Sequence, residues 1–258
     1  MPSSTHLVLI PSYNSGARLE TTAAEAARQW DPVWIVIDGS TDGSDSAVAA
    51  LAARDSRLRV IARPRRGGKG AAIATGVSIA LAEGFTHVLA MDSDGQHPAG
   101  RIGEFMAASA GGPETLVLGR PIFGPEAPIA RMLGRKLSVW LAQVEILGPG
   151  IDDPLFGFRV YPAAALQRAL GSTRFGRGYD FDHEMAVRIY WDGVPTLNLD
   201  ASCRYLSKSQ GGISHFHYWR DNLVLFRSNL QLLLELAFRR WPALLARRRR
   251  AGSGASRD

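Results

Sequence analysis

Cysteine is nearly absent. The 258-residue chain has one, Cys203, so no intrachain disulfide can form. That excludes a disulfide-stapled secreted scaffold and fits a reducing compartment. Cys203 lies beside Arg204 in a stretch alternating apolar and polar residues, the setting of a half-buried structural thiol. Long apolar runs are also missing: none reaches the ~18–20 residues a membrane-spanning helix needs. Met1-Pro2-Ser3-Ser4-Thr5 has neither the basic region nor the apolar stretch of a secretory signal. The expected location is cytoplasmic, with peripheral contact on the cytoplasmic membrane face as a variant. Net positive charge is nearly absent from the body of the chain. The net +6 is concentrated in Arg239, Arg240, Arg247, Arg248, Arg249, Arg250 and Arg257, and without them the chain is close to neutral. Together with the lack of a helix-turn-helix or zinc signature, this argues for a basic tail and against a nucleic-acid-binding surface.

What is present is ample apolar content, 46% of residues, enough for one large domain or two small ones. Through residue 120, short apolar runs alternate with helical stretches. Strands are expected at Leu7 to Ile10 (ended by Pro11), Val33 to Ile37, Leu58 to Ile61, Thr86 to Met91 and Thr115 to Leu118. Helices are expected at Leu19 to Trp30, Ser44 to Arg54, Lys69 to Glu83 and Pro98 to Ala108. Such alternation implies βαβ units, hence an α/β fold with a mainly parallel, Rossmann-like sheet flanked by helices. Pro11, Asp38, Arg63 and Asp92 should then gather along one sheet edge, where ligands bind in open α/β folds. Farther on, Ile129 to Ile146, Phe181 to Trp191 and Phe216 to Arg240 read as helices. Phe158 to Tyr161 and Val194 to Leu199 read as strands, and Ser207 to Gly212 as a polar loop.

The strand ends carry the chemistry. After His87-Val88-Leu89-Ala90 come Asp92 and Asp94, whose i, i+2 spacing puts two carboxylates on one face of an extended backbone. They repel unless a cation lies between them, and hard oxygen ligands suit Mg²⁺ or Mn²⁺ bridging to phosphate. The alternative is a surface turn of Asp, Ser, Gly and Pro. Pro11-Ser12-Tyr13-Asn14 is a turn that could present a ring. Asp38-Gly39-Ser40 could bind a base or ribose, or cap the next helix. Arg63-Pro64-Arg65-Arg66-Gly67-Gly68-Lys69 is a basic, glycine-rich helix entry suited to phosphate, though not a Walker A loop, and could equally be a solvated loop.

Taken in order, Pro-Ser-Tyr-Asn, Asp-Gly-Ser-Thr-Asp-Gly-Ser, Gly-Gly-Lys-Gly-Ala-Ala and Asp-Ser-Asp-Gly-Gln-His-Pro resemble the family-2 glycosyltransferases of GT-A fold. The likeness is to the branch with dolichol-phosphate-mannose synthase and bacterial polyprenyl-phosphate glycosyltransferases. It covers roughly residues 6–120 and returns at Asp153 to Tyr161. The resemblance implies that Pro11, Tyr13 and Asp38 line a nucleotide pocket, with Lys69 and Asp92 near the donor. It implies that Asp92, Asp94 and Gln96 hold Mg²⁺ or Mn²⁺. Arg120 and Arg135 would meet an acceptor phosphate, and Asp153 and Arg159 lie in a matching Asp-Pro-Leu-Phe-Gly-Phe-Arg segment. Ile37 replaces a family Asp, Phe156 a small Ser, and the Arg120 region lacks the usual Ser and contains Pro121, Pro125 and Pro128.

The implied activity is inverting, metal-dependent transfer from a nucleoside-diphosphate sugar to a lipid-linked acceptor, a polyprenyl phosphate. A hydroxyl acceptor, or nucleotide-sugar binding without turnover, are alternatives. A hydroxyl would need a base, for which Asp153 is the candidate, although Asp153 could be a turn residue before Pro154. A phosphate acceptor is already ionised, and Arg120, Arg135 and Arg159 would position it. The expected organisation is a glycosyltransferase domain over 1–212, with a nucleotide-sugar half 1–120 and an acceptor half 121–212. A C-terminal helical segment 213–250 and a disordered tail 251–258 follow. In 213–250, His215 and His217 could reach a substrate or cap a helix. The apolar helix ending in Arg239-Arg240-Trp241 could lie on a membrane or pack as a core or dimer helix.

Overall fold

The computed structural model describes residues 2–124, 129–173, 176, 178–204 and 218–254. One seven-stranded sheet organises them. The strands are β1 (His6–Ser12), β2 (Val33–Asp38), β3 (Leu58–Arg63), β4 (His87–Ala90), β5 (Leu116–Phe123), β6 (Arg159–Pro162) and β7 (Thr196–Cys203). Their spatial order is β3-β2-β1-β4-β6-β5-β7. Four pairings are parallel; β6 runs antiparallel to both β4 and β5. The helices are α1 (Arg18–Gln29), α2 (Ser44–Ala52), α3 (Lys69–Ala82), α4 (Ile102–Gly111, after a 3₁₀ turn at Ala99–Arg101) and α5 (Ile129–Glu145). They continue with α6 (Ala163–Gly171), α7 (Phe181–Trp191), α8 (Tyr218–Glu235) and α9 (Trp241–Gly254). A π-turn at Leu236–Arg240 joins the last two.

Strand periodicity splits the core into two layers. Leu7 and Leu9 face one side with Val77, Tyr161 and Phe181. Val8 and Ile10 face the other with Ile35, Phe105 and Phe158. Both faces are covered, so β1 and β2 are buried throughout and read as continuous apolar runs.

The structure corrects several boundaries. Pro11 does not end β1, which runs to Ser12. Leu9 accepts from Met91 N–H on the β4 side, so Pro11, two residues on, points its nitrogen the same way, beyond the end of β4 at Ala90. Its missing N–H therefore costs no ladder bond. The fifth strand extends to Phe123 through Pro121 for the same reason. Gly119 donates to Phe158 on the β6 side, and β6 pairs no farther than Val117 and Leu118. The last strand begins at Thr196 and runs to Cys203, paired along its length with β5. Helix α6 was not expected. The long C-terminal helix is broken at the π-turn, and α9 extends into the expected tail as far as Gly254. Cys203 is buried, and burial pushes its thiol up to about 11.

Candidate functional site

The C-terminal ends of β1 to β4 deliver Ser12, Asp38, Arg63 and Asp92 to one edge. There the loops are stitched together. Asn14 N–H donates to Ser40 Oγ at 3.1 Å, Thr41 N–H to Asn14 Oδ1 at 2.8 Å, and Gly16 N–H to Asp42 at 2.8 Å. Ser15 Oγ meets Ser93 Oγ at 2.7 Å, tying the first loop to the acidic loop. The Arg66 guanidinium lies 4.1 Å over the Tyr13 ring, a cation–π pair forming one wall.

Asp38 is buried and already engaged. It ion-pairs with Arg63 and accepts from Gly67 N–H at 3.0 Å and Gly68 N–H at 2.7 Å. The glycine N–H groups that the sequence offered to a phosphate thus hold the protein's own carboxylate. Gly39 makes this possible: it sits at φ +67°, and a Cβ there would come within 2.7 Å of Arg66 N.

Lys69, the first residue of α3, reaches the acidic loop. Its Nζ lies 2.7 Å from Asp92 Oδ1 and 2.6 Å from Asp182 Oδ2 on α7. Gly157 lets it through, since a Cβ at 157 would fall 2.5 Å from Lys69 Nζ and 3.2 Å from Asp92 Oδ2. Desolvation would raise the Asp92 carboxyl, but Lys69 and His97 override it and hold the group down at about 2. Asp94 behaves oppositely: burial, then the Asp92 charge, raises it. Asp94 Oδ1 accepts from Gln96 N–H at 3.0 Å across Gly95, at φ +77°. His97 is buried edge-on to Phe156 and Phe158 and accepts from Asp92 N–H through Nδ1 at 2.9 Å. Burial lowers its pKa against the opposing pull of Asp92 and Asp94; because Nδ1 accepts, Nε2 is the nitrogen that carries a proton, 3.6 Å from Asp92 Oδ2.

Among the described residues, no three His, Cys, Asp or Glu side chains converge as a metal cage. Asp92, Asp94 and Gln96 nevertheless fit a divalent ion. Their side chains offer hard oxygens, Asp94 has no ion pair among the described residues, and burial first, then the neighbouring Asp92 charge, disfavours its ionised form, a cost that a cation would relieve. Such an ion takes its remaining ligands from substrate phosphate and water.

On the other side of the segment 153–158 lies a cleft of about 260 Å³ lined by Arg120, Phe123, Met132, Arg135, Lys136 and Asp153, among others. Arg120, at the sheet edge, pairs with Asp200 at 2.5 Å and Asp152 at 3.2 Å. Arg135 pairs with Asp153 and lies 4.9 Å over the Phe123 ring. Asp153 also accepts from Leu155 N–H at 2.9 Å and Phe156 N–H at 2.8 Å, closing the turn before β6. Arg159 points away from the cleft. It is fully buried and donates to the Phe156, Asp153 and Asp182 carbonyls, joining this turn to α7. Gly157 touches the Lys69–Asp92 pair four residues after Asp153, so the two regions are no more than about 14 Å apart along the chain.

Tyr13, Asp38, Lys69, Asp92, Asp94 and Gln96 are therefore gathered at one edge, and Arg120, Arg135 and Asp153 at the cleft. Pro11 lies inside the sheet, and Arg159, the first residue of β6, buries its side chain against the turn and α7. Sequence reasoning missed Asp182 and assigned His97 no role. Asp182 had a visible signal, a carboxylate in the first turn of a helix, but helix-dipole stabilisation explained it equally well. His215 and His217 lie outside the described residues, as does the expected 207–212 loop.

The sequence profile of the family described as "Glycosyl transferase family 2" matches residues 7–170. Over 204 residues the chain is 28% identical to polyprenol monophosphomannose synthase of Mycolicibacterium smegmatis (strain ATCC 700084 / mc(2)155), covering 77% of each chain. The fold is similar to two crystal structures of S. aureus TarS. For TarS 1-349 in complex with UDP-GlcNAc, the TM-score is 0.55 at 14% identity, covering 91% of this chain and 73% of that one. For a longer TarS chain the values are 0.54 and 16%, covering 78% of this chain and 37% of TarS.

Proposed function

We propose that this chain, which belongs to glycosyl transferase family 2 and is a glycosyltransferase of GT-A fold, moves a sugar with inversion from a nucleoside-diphosphate sugar to a polyprenyl phosphate. The observation that carries this reading is the placement of two unlike sites beside one turn. One is an acidic pair with a lysine, suited to a cation and a diphosphate. The other is a cleft with Arg120, Arg135 and Lys136 on its walls, suited to a second phosphate. The M. smegmatis relative, named a polyprenol monophosphomannose synthase, supports the acceptor class. UDP-GlcNAc bound to TarS supports the donor class.

Tyr13 and Arg66 would stack the base, and Asp38 would hold the 63–68 loop that closes around it. Asp92, Asp94 and Gln96 would hold Mg²⁺ or Mn²⁺, whose chemistry is to neutralise the departing diphosphate. Lys69, held charged by its two carboxylates, adds a fixed positive charge on the same side. Fixed charge aimed at a developing anion lowers the barrier without reorganisation. Arg135 and Lys136 would orient the acceptor phosphate, and Arg120 would share itself between that phosphate and its carboxylates. Asp153 accepts from a guanidinium and two amides, which suits holding Arg135 in place better than abstracting a proton. A phosphate acceptor needs no base.

The exposed apolar residues support peripheral membrane contact. Leu133, Leu137 and Trp140 form a stripe on α5, and Trp219, Leu223, Phe226, Leu230 and Leu234 form one on α8. No helix among the described residues is long and apolar enough to cross a membrane.

Thermal unfolding with a panel of nucleoside diphosphates and nucleotide sugars, with and without Mn²⁺, tests the donor site. At 100 Kd a ligand stabilises by about 2.7 kcal/mol, roughly 5–10 °C here. One nucleotide shifting Tm in a Mn²⁺-dependent way is the expected result. No shift with any nucleotide at millimolar concentration would refute the reading.

A further inference from the structure

The Lys69 ammonium occupies ground that the proposed function gives to a cation. It sits on Asp92 Oδ1, one of the two carboxylates that would hold a divalent ion, and on Asp182 Oδ2. Asp182 lies in the first turn of α7, is 5% exposed, and has no other role in view: its Oδ1 is buried without a hydrogen-bond partner among the described residues. A buried carboxylate with an idle oxygen is expensive unless its charge serves something. Its position is fixed from below, because the fully buried Arg159 donates to its carbonyl. From above, Gly157 leaves room for the lysine: a Cβ there would fall 2.5 Å from Lys69 Nζ and 3.3 Å from Asp182 Oδ1.

We propose that Asp182 is a positioning residue of the donor site: it anchors Lys69 so that the ammonium serves as resident counter-ion to Asp92 and withdraws onto Asp182 when a divalent cation takes Asp92. Two of the three N–H donors of Lys69 are used by the two carboxylates. Release of Asp92 leaves one donor on Asp182 and two free for the diphosphate. Without Asp182 the ammonium would settle on Asp92 alone and compete with the cation. Without Lys69 the carboxylates would meet the cation unopposed. The proposal rests on the reading of Asp92 and Asp94 as a cation site. The anchoring of Lys69 does not.

The test uses the full chain and two readouts that need no turnover. Mn²⁺ affinity is measured by the EPR signal of the free ion, and Lys69 accessibility by its rate of acylation with an amine-reactive reagent, read by mass spectrometry. In Asp182→Asn, acylation should rise several-fold and Mn²⁺ should bind roughly tenfold more weakly. In Lys69→Met, Mn²⁺ should bind roughly tenfold more tightly, the direction and scale expected from adding or removing a unit charge within a few ångströms. Lys69→Met also keeps the test alive if Asp182→Asn fails to fold. Wild-type acylation and Mn²⁺ affinity in a folded Asp182→Asn, or weakened Mn²⁺ binding in Lys69→Met, would overturn the proposal. If Asp182→Asn raises acylation while no variant binds Mn²⁺, the anchor stands. The cation exchange then falls together with the metal reading on which it rests.

Discussion

At the scale of single residues, the account turns on which way side chains point. Asp92 carries the acidic edge, and replacing it with Asn removes a carboxylate of the proposed cation site and one of the two partners of Lys69. Turnover should fall by about 10³, the scale of losing a key electrostatic contact to the transition state, while circular dichroism stays unchanged. Near-normal turnover in that variant would remove Asp92 from the mechanism. Arg159 makes the opposite case. Its motif suggested an acceptor contact, yet its side chain turns inward to three carbonyls. Arg159→Met should cost about 3 kcal/mol in urea unfolding, because buried carbonyls lose charged donors. A stable variant with a raised acceptor KM would show that the arginine serves the acceptor after all. Residue identity and spacing made Asp92, Asp94 and Lys69 legible as one site. Arg159 was not, because one short strand exposes neighbours to opposite faces and the motif does not say which face is wet.

At the scale of elements, the strands were legible because both sheet faces are buried and apolar runs mark them. Their ends were less so, because pairing with a longer or shorter neighbour sets them. Pro11 reads as a strand terminator and is not, and β5 runs on past the expected Leu118 through Pro121, since each proline aims its nitrogen at a place the neighbouring strand has left. Helix α6 escaped because Pro162 both ends β6 and begins the helix, so no turn residues mark the boundary. Register also has a chemical consequence. Pairing of β1 with β4 sets His6 opposite His87, and the rings stack 4.3 Å apart. Burial first, and His87 second, lower the His6 pKa to about 4. The unfolded chain therefore binds a proton near pH 6.5 that the folded chain refuses until about pH 4. His6 thus lets stability rise with pH across that window and be lost as pH falls through it, by about 3 kcal/mol in total. Urea unfolding of wild type and His6→Gln between pH 7 and 4 checks this. The variant should lose part of the slope, since the buried His97 adds to it in the same direction, and an unchanged slope would assign it to other groups.

At the scale of the whole molecule, α5 has two faces. Met132, Arg135, Lys136 and Val139 line the cleft, while Leu133, Leu137 and Trp140 are exposed beside it. Trp219 and Phe238 are 85% and 80% exposed, and Arg239, Arg248 and Arg249 are exposed in the C-terminal helices. Apolar and cationic surface together suit a layer of anionic lipid. Replacing Leu133, Leu137 and Trp140 together with Ser should lower binding to anionic vesicles by about tenfold in a sedimentation assay and leave nucleotide binding intact. Unchanged vesicle binding would assign this face elsewhere. The exposed apolar surface beside the cleft was half legible in the sequence. The C-terminal apolar helix and its arginines were visible, but Ile129 to Ile146 reads only as a helix, and which of its faces is exposed depends on its neighbours.

The most direct measurement is transfer itself. Wild-type chain is supplied with the nucleotide sugar that stabilises it, Mn²⁺, and polyprenyl phosphate in vesicles, and the anomeric configuration of the product is read by NMR. The account predicts a sugar joined to the lipid phosphate with inverted configuration, and none in Asp92→Asn. Transfer to a hydroxyl acceptor with no product on polyprenyl phosphate, or a product of retained configuration, would contradict it.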